Sequence, residues 1–224
     1  LNIANGIARA ATEIMASSIV IGWNDKVTTT NYLFGSVLDN LIAKTKQTLF
    51  VLYAPSPLFL IKRINVIVSP NAHLDIGFIN WLHSISNLAK QTTSEILFFS
   101  ETNTLEQIKS TVQKIKSIKV GYKENINFRN LDLIIRSFKA SDFLFFVNGR
   151  PRTISYNKYL SVYPRHLNKQ NSNFNFALIF PEQKPIFENT SVKIDEISSE
   201  PIEGNIERIH NVGKFMKKIV KRKK

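Results

Sequence analysis

Ile64-Asn65-Val66-Ile67-Val68, closed by Ser69-Pro70, is the stretch on which the fold turns. Four of its five residues are β-branched and apolar, and the Ser-Pro pair stops it abruptly. Such a run fits a short strand buried on both faces. Immediately downstream, Ile76, Ile79, Leu82, Ile85 and Leu88 recur at helical spacing over 76–90. Glu95-Ile96-Leu97-Phe98-Phe99 then returns to a strand, and 104–117 to a helix with Leu105, Ile108, Val112 and Ile115 inward. Within that helix, Thr104-Leu105-Glu106-Gln107 fits a capping box, a hydroxyl followed three residues on by an amide. A strand over 118–122, a helix over 130–139, a strand over 143–147, a polar helix over 158–168 and a strand over 174–180 complete the series. Apolar strands alternating with amphipathic helices predict a parallel sheet covered by helices on both faces, a three-layer α/β/α arrangement.

Upstream the same pattern occurs in shorter form. A helix over 3–14, with Ile3, Ile7, Ala10, Ala11 and Ile14 on one side, precedes the strand Ser18-Ile19-Val20-Ile21-Gly22, read as buried on both faces. A helix with Leu33, Val37, Leu41 and Ile42 inward follows, then the strand over 48–53. The order α-β-α-β over 1–54 matches that over 128–181, and Leu33…Ser36-Val37 echoes Leu160-Ser161-Val162. The chain therefore reads as the C-terminal half of one unit at 1–54 and a complete unit at 58–181. A half unit cannot shield its own sheet, so it is expected to lean on the complete one or on a second molecule, with a homodimer as the simplest form.

Composition narrows the functional classes. The 224 residues carry no cysteine, which excludes disulfides, thiolate nucleophiles and Cys-ligated metals. The net charge is +13, but 205–224 holds eight basic residues and one acid, so the body is only mildly basic. Between them, 182–204 gathers six acids and two prolines behind Pro181 and reads as a solvated acidic linker. In the tail, Ile206, Ile209, Val212, Phe215, Ile219 and Val220 form an apolar stripe beside Lys214, Lys217, Lys218 and Lys221, a pattern suited to an anionic membrane surface. The alternative is a solvated C-terminus. Sixteen phenylalanines suggest base stacking, but Phe98, Phe99, Phe143, Phe145, Phe146, Phe176 and Phe180 fall in buried strands, where core is the better account, and no nucleic-acid partner is expected. No P-loop, nucleophile elbow or His-Glu-x-x-His occurs, and the four histidines are scattered. His73 with Asp75 is read as a loop pair, Asp132 and Asp142 as capping or solvated groups, and Arg150-Pro151-Arg152 as a solvated basic loop. No catalytic residue and no metal site is expected.

One spacing carries further weight. Gly22, two residues, Asp25, nine residues and then Gly35-Ser36 place two glycines and a hydroxyl where a strand end and a helix start offer N–H donors to phosphate. With its flanking segments, this resembles the nucleotide motif of the universal stress protein family, whose fold is adenine nucleotide alpha hydrolase-like. The resemblance implies a site for ATP or another adenine nucleotide at Gly22, Asp25, Gly35 and Ser36. Asp25 stands where the family has a glycine, and its bulk and charge disfavour a triphosphate. In the second unit the matching places hold Asn148, Pro151 and Ser161, and Ser69 occupies the place of the family's adenine-facing acid. Leu60-Ile61-Lys62-Arg63, Ser69-Pro70 and Gly77-Phe78…Trp81-Leu82 further resemble the cytosolic tandem stress-protein region of bacterial cation/proton (sodium/hydrogen) antiporters. That likeness implies a non-catalytic regulatory domain on the cytoplasmic side of the inner membrane, partnered with the transmembrane domain of its own parent chain. The rival is a stand-alone nucleotide-binding stress protein.

Overall fold

The computed structural model describes residues 2–23, 35–58, 61–115, 118–169 and 174–183. The acidic linker beyond residue 183 and the tail, with Lys214, Lys217, Lys218 and Lys221, lie outside them, as does Asp25.

α1 (Ile3–Glu13), β1 (Ser18–Gly22), α2 (Ser36–Lys44) and β2 (Thr48–Tyr53) lie in the stretch expected as the first unit, although residues 1–184 cluster as one compact body. The second comprises β3 (Arg63–Val68), α3 (Phe78–Thr92), β4 (Glu95–Phe99), α4 (Thr102–Val112), β5 (Val120–Lys123), α5 (Asp132–Ile135), β6 (Asp142–Val147), α6 (Lys158–Lys169) and β7 (Asn175–Phe180). The seven strands make one sheet in the order β1-β2-β7-β6-β3-β4-β5. Every pair within a unit is parallel, as the alternation predicts, and the reversal between β3 and β6 is the doubly wound switch.

The one antiparallel pair joins the units. β2 lies against β7, with Leu49 opposite Phe180 and Tyr53 opposite Phe176. Laid end to end, Thr48–Tyr53 and Asn175–Phe180 place Val51 over Leu178, and these two residues also face each other in the ladder. The last strands of the two units therefore meet about a local two-fold axis, which makes them antiparallel.

The sheet is covered on both faces. On one, Trp81, Leu82 and Ile85 of α3 and Leu105 and Ile108 of α4 pack on Val66, Phe98, Phe143, Phe145 and Val147. On the other, Ala4, Leu38, Leu41, Leu131, Ile135, Leu160 and Tyr163 pack on Leu49, Val51, Ile67, Phe146, Phe176 and Leu178. β6 and β7 are buried throughout, which explains their unbroken apolar runs.

Several expectations are corrected. β1 is not buried on both faces: it is an edge strand in which Ser18, Val20 and Gly22 are exposed. α1 turns Ala4 and Ala11 inward and leaves Ile3 and Ile14 exposed, because small residues let it approach α2 closely. The helix expected over 130–139 is a 3-10 turn at Phe128–Asn130 followed by the four-residue α5. α4 begins at Thr102 behind Glu101, so Thr104 lies inside the helix and forms no capping box. It is buried, and its hydroxyl accepts from the Asn71 N–H at 3.1 Å.

Candidate functional site

Ligands of open α/β sheets bind beyond the carboxyl ends of the strands, at the switch point. In the second unit that place is the β3–β6 crevice and the loop from β6 to α6. Ser69, fully buried, donates its N–H to the Val147 carbonyl at 2.9 Å and draws the two strand ends together. Its hydroxyl has no hydrogen-bond partner.

The loop is folded in on itself. Asn148, 3% exposed, clamps Asn157: its Oδ1 accepts from the Asn157 N–H at 2.8 Å, and its Nδ2 donates to the Asn157 carbonyl at 3.0 Å and the Ser161 hydroxyl at 2.9 Å. Asn157 in turn accepts on Oδ1 from the Tyr159 and Leu160 N–H groups at 2.9 and 3.3 Å. These are the orphan donors of the first turn of α6 that would otherwise face an anion. The side chains of Thr153 and Ser155 lie over Gly149, so a Cβ there would collide with both hydroxyls. Ser155 donates to the Asp75 carboxylate at 2.6 Å, and burial raises the Asp75 pKa, against the lowering effects of that bond and of His73. The His73 ring lies 3.2 Å from the Thr104 hydroxyl. Among the described residues, no group of three or more potential ligands could hold a metal.

Arg150 departs most from its expectation. It is not a solvated loop cation: it is 3% exposed and reaches the first unit. Its Nη1 donates to the Ile42 carbonyl at 2.7 Å, the Thr45 carbonyl and the Thr45 hydroxyl at 3.0 Å, and its Nη2 to the Gln47 carbonyl at 2.6 Å. These acceptors surround the C-terminal end of α2, where partial negative charge favours a cation. Burial pulls the guanidinium below its usual range, to about 10. Sequence reasoning missed it because its partners lie 103–108 residues away. An arginine between Gly149 and Pro151, otherwise an unremarkable turn, was the only signal.

In the first unit, Gly22 ends β1 and is exposed, and a Cβ there would meet nothing within 4 Å. No close approach among the described atoms therefore requires glycine. Gly35 precedes α2 with φ 102 and ψ 152, a left-handed backbone suited to glycine. Ser36 opens α2, and its side chain lies outside the described set. Ladder geometry also corrects the match between units. Trp23 donates to the Leu52 carbonyl as Asn148 does to that of Ile179, so Asn148 answers to Trp23 and Val147 to Gly22. Gly35 then answers to Asn157, each preceding its helix, not to Ser161, which lies inside α6. Residues 23–34 span twelve positions and 148–156 nine, so the second loop is three shorter.

Asp142 and Asp132 make structural hydrogen bonds. Asp142, 2% exposed, accepts from the Asn65 amide at 3.0 Å and the Lys139 N–H at 3.1 Å. Asp132 accepts from the Tyr163 hydroxyl at 2.7 Å, and burial, then Asp132, pushes that phenol's pKa well above its ordinary range.

The chain matches no known protein family and no curated protein. Among solved structures it is similar to a universal stress protein from Archaeoglobus fulgidus, at 12% identity and a TM-score of 0.51, covering 81% of this chain and 66% of that one. It is also similar to the cytoplasmic domain of a prokaryotic cation chloride cotransporter, at 11% identity and a TM-score of 0.53, covering 80% of this chain and 69% of that one. The chain thus spans about two thirds of each neighbour's length. No helix among the described residues is long and apolar enough to cross a membrane. At such identities the likeness fixes the architecture alone: a universal-stress-protein-like α/β sheet, shared with a transporter's cytoplasmic domain.

Proposed function

We propose that this chain is a non-catalytic regulatory domain of a membrane cation transporter, acting from the cytoplasmic side on the transmembrane part of its parent protein. The observation that carries this reading is the filled loop at 148–157. Its helix N–H groups are capped by Asn157, its hollow is occupied by Thr153 and Ser155, and its cation is turned into the neighbouring unit. A nucleotide loop so rebuilt serves as a joint between units, which suits a module that biases a transport equilibrium by binding two states unequally. The neighbour from a cation chloride cotransporter supports the transporter class. A sodium/hydrogen antiporter is the type that the sequence resemblance favours.

The stand-alone nucleotide-binding stress protein is the second reading. It is favoured by Gly35, which gives α2 no side-chain cap. Calorimetric titration of the chain with ATP, ADP and cyclic AMP tests the two against each other. No binding heat is expected. Micromolar affinity for ATP that Gly35→Val abolishes would overturn the regulatory reading. Deletion of the domain from the parent transporter should alter its transport rate, and an unchanged rate would count equally against it.

A further inference from the structure

α5 stops after four residues where a helix over 130–139 was expected, and α6 carries Pro164, which has no N–H for the Leu160 carbonyl. Two adjoining cavities lie between these irregular elements. The first, of about 180 Å³, is lined by Phe128, Tyr159 and Val162, by the exposed Arg129 and His166, and by Asp132 and Tyr163. The second, of about 340 Å³, shares Asp132 and Tyr163 and adds Arg136 and Phe138. Tyr163, 9% exposed, ties the two together by donating to Asp132 Oδ1 at 2.7 Å. The aromatic wall has not closed on its own cations. The Arg129 guanidinium stands 6.0 Å from the Tyr159 ring centre, at the outer limit of a cation–π contact, and Lys158 Nζ lies 5.2 Å from the same ring.

Charge and volume together select a ligand. Arg129, Arg136 and Lys158 are permanent cations around this groove. Asp132 is the one acid among the described residues that line it, and the Tyr163 hydroxyl already occupies one of its oxygens. The local balance is positive and favours an anion, while the ring walls favour a flat apolar body. A cavity of about 150 Å³ takes one benzene ring. The first cavity therefore has room for a single six-membered ring with its acidic group, and none for a nucleoside. We propose that the groove between α5 and α6 binds a monocyclic aromatic anion, an aryl carboxylate or aryl phosphate. Its ring lies against Phe128 and Tyr159, and its acidic group pairs with Arg129 and accepts from the His166 ring. The groove uses none of Gly22, Asp25, Gly35 and Ser36 and stands apart from the β3–β6 crevice. The inference does not rest on the regulatory reading.

Two-dimensional NMR of the isotope-labelled chain, titrated in turn with benzoate, phenyl phosphate, acetate and benzylamine, tests it. Benzoate or phenyl phosphate should bind saturably and move amide signals within 128–132 and 158–166, and the tighter of the two tells carboxylate from phosphate. Acetate should bind about tenfold or more weakly, having no ring to bury. Arg129→Gln should weaken the aromatic acids about threefold or more. Val162→Trp, placed at a position 41% exposed, should fill the first cavity and abolish binding. Both variants should melt within about 2 °C of the parent, since both positions are at the surface. Benzylamine binding as tightly as benzoate would assign the groove to a cation held by Asp132 and overturn the proposal. Acetate equal to benzoate, binding that survives Val162→Trp, or no saturable shift with either aromatic acid would overturn it as well.

Discussion

Replacing Arg150 by alanine removes four hydrogen bonds at once, three of them to main-chain carbonyls at the end of α2. Hydrogen bonds from a charged donor contribute about 1.5–3 kcal/mol each, so the gross loss is roughly 6–12 kcal/mol. Against this stands the cost of burying the cation. A guanidinium drawn down to about 10 by burial is disfavoured in its charged form by roughly 3 kcal/mol. Carbonyls at a helix end regain water once the side chain is gone, which moves the net loss to the lower part of the range, about 3–5 kcal/mol. Arg150→Lys separates charge from geometry. An ammonium at the end of a shorter reach cannot serve Ile42, Thr45 and Gln47 together, so at least half of the loss should persist. Urea unfolding of the three proteins gives the stabilities, and hydrogen exchange over 42–47 shows whether the damage is local to the joint. An alanine variant within about 1 kcal/mol of the parent, or a lysine variant equal to it, would refute the reasoning.

Two further outcomes follow from the same loop. Asp75 has its pKa raised by burial, so its contribution is full when protonated and is lost as pH rises through the folded value. Asp75→Asn should therefore be neutral near pH 4 and stabilising at pH 7, keeping an acceptor for Ser155, and thermal melts at the two pH values check the sign. Gly149→Ala should cost about 1–3 kcal/mol, because the new methyl group would sit on the Ser155 and Thr153 hydroxyls and 2.7 Å from the Ser155 carbonyl carbon. Denaturant midpoints that do not move would show that the loop is open.

The elements were legible because their signals are local. The strand 95–99 and the start of α6 at Lys158 were read correctly from periodicity and apolar runs alone. Face assignments failed where tertiary context decides them. Ile3 and Ile14 have the right spacing for a buried stripe, yet Ala4 and Ala11 occupy the contact, since helix separation and not hydrophobicity sets that face. Ser-Ile-Val-Ile-Gly at β1 is composed like a central strand and lies at an edge, because a strand's neighbours are not written in its own residues. The site was half legible. Gly35-Ser36 was read as a helix start, where the structure places it, whereas Asn148, Asn157 and Arg150 act through partners that no spacing rule identifies.

The antiparallel junction explains why Arg150 is where it is. Two equal edge strands related by a two-fold run in opposite senses, so the carboxyl end of β7 lies beside the amino end of β2. The loop after β6, at the same end of the sheet, then meets the α2–β2 turn and the last carbonyls of α2. Those carbonyls carry the negative end of the helix dipole. A phosphate brought there would be repelled, while a cation is held. The same two-fold brings the end of β1 beside the start of β7, where Trp23 packs edge-on against Phe176 with ring centroids 5.2 Å apart. Arg150 and Trp23 thus each bridge to the other unit. Once the sheets join in this sense, an arginine at position 150 becomes favourable and an anionic ligand at the same place unfavourable, so the filled loop follows from the junction and needs no separate cause.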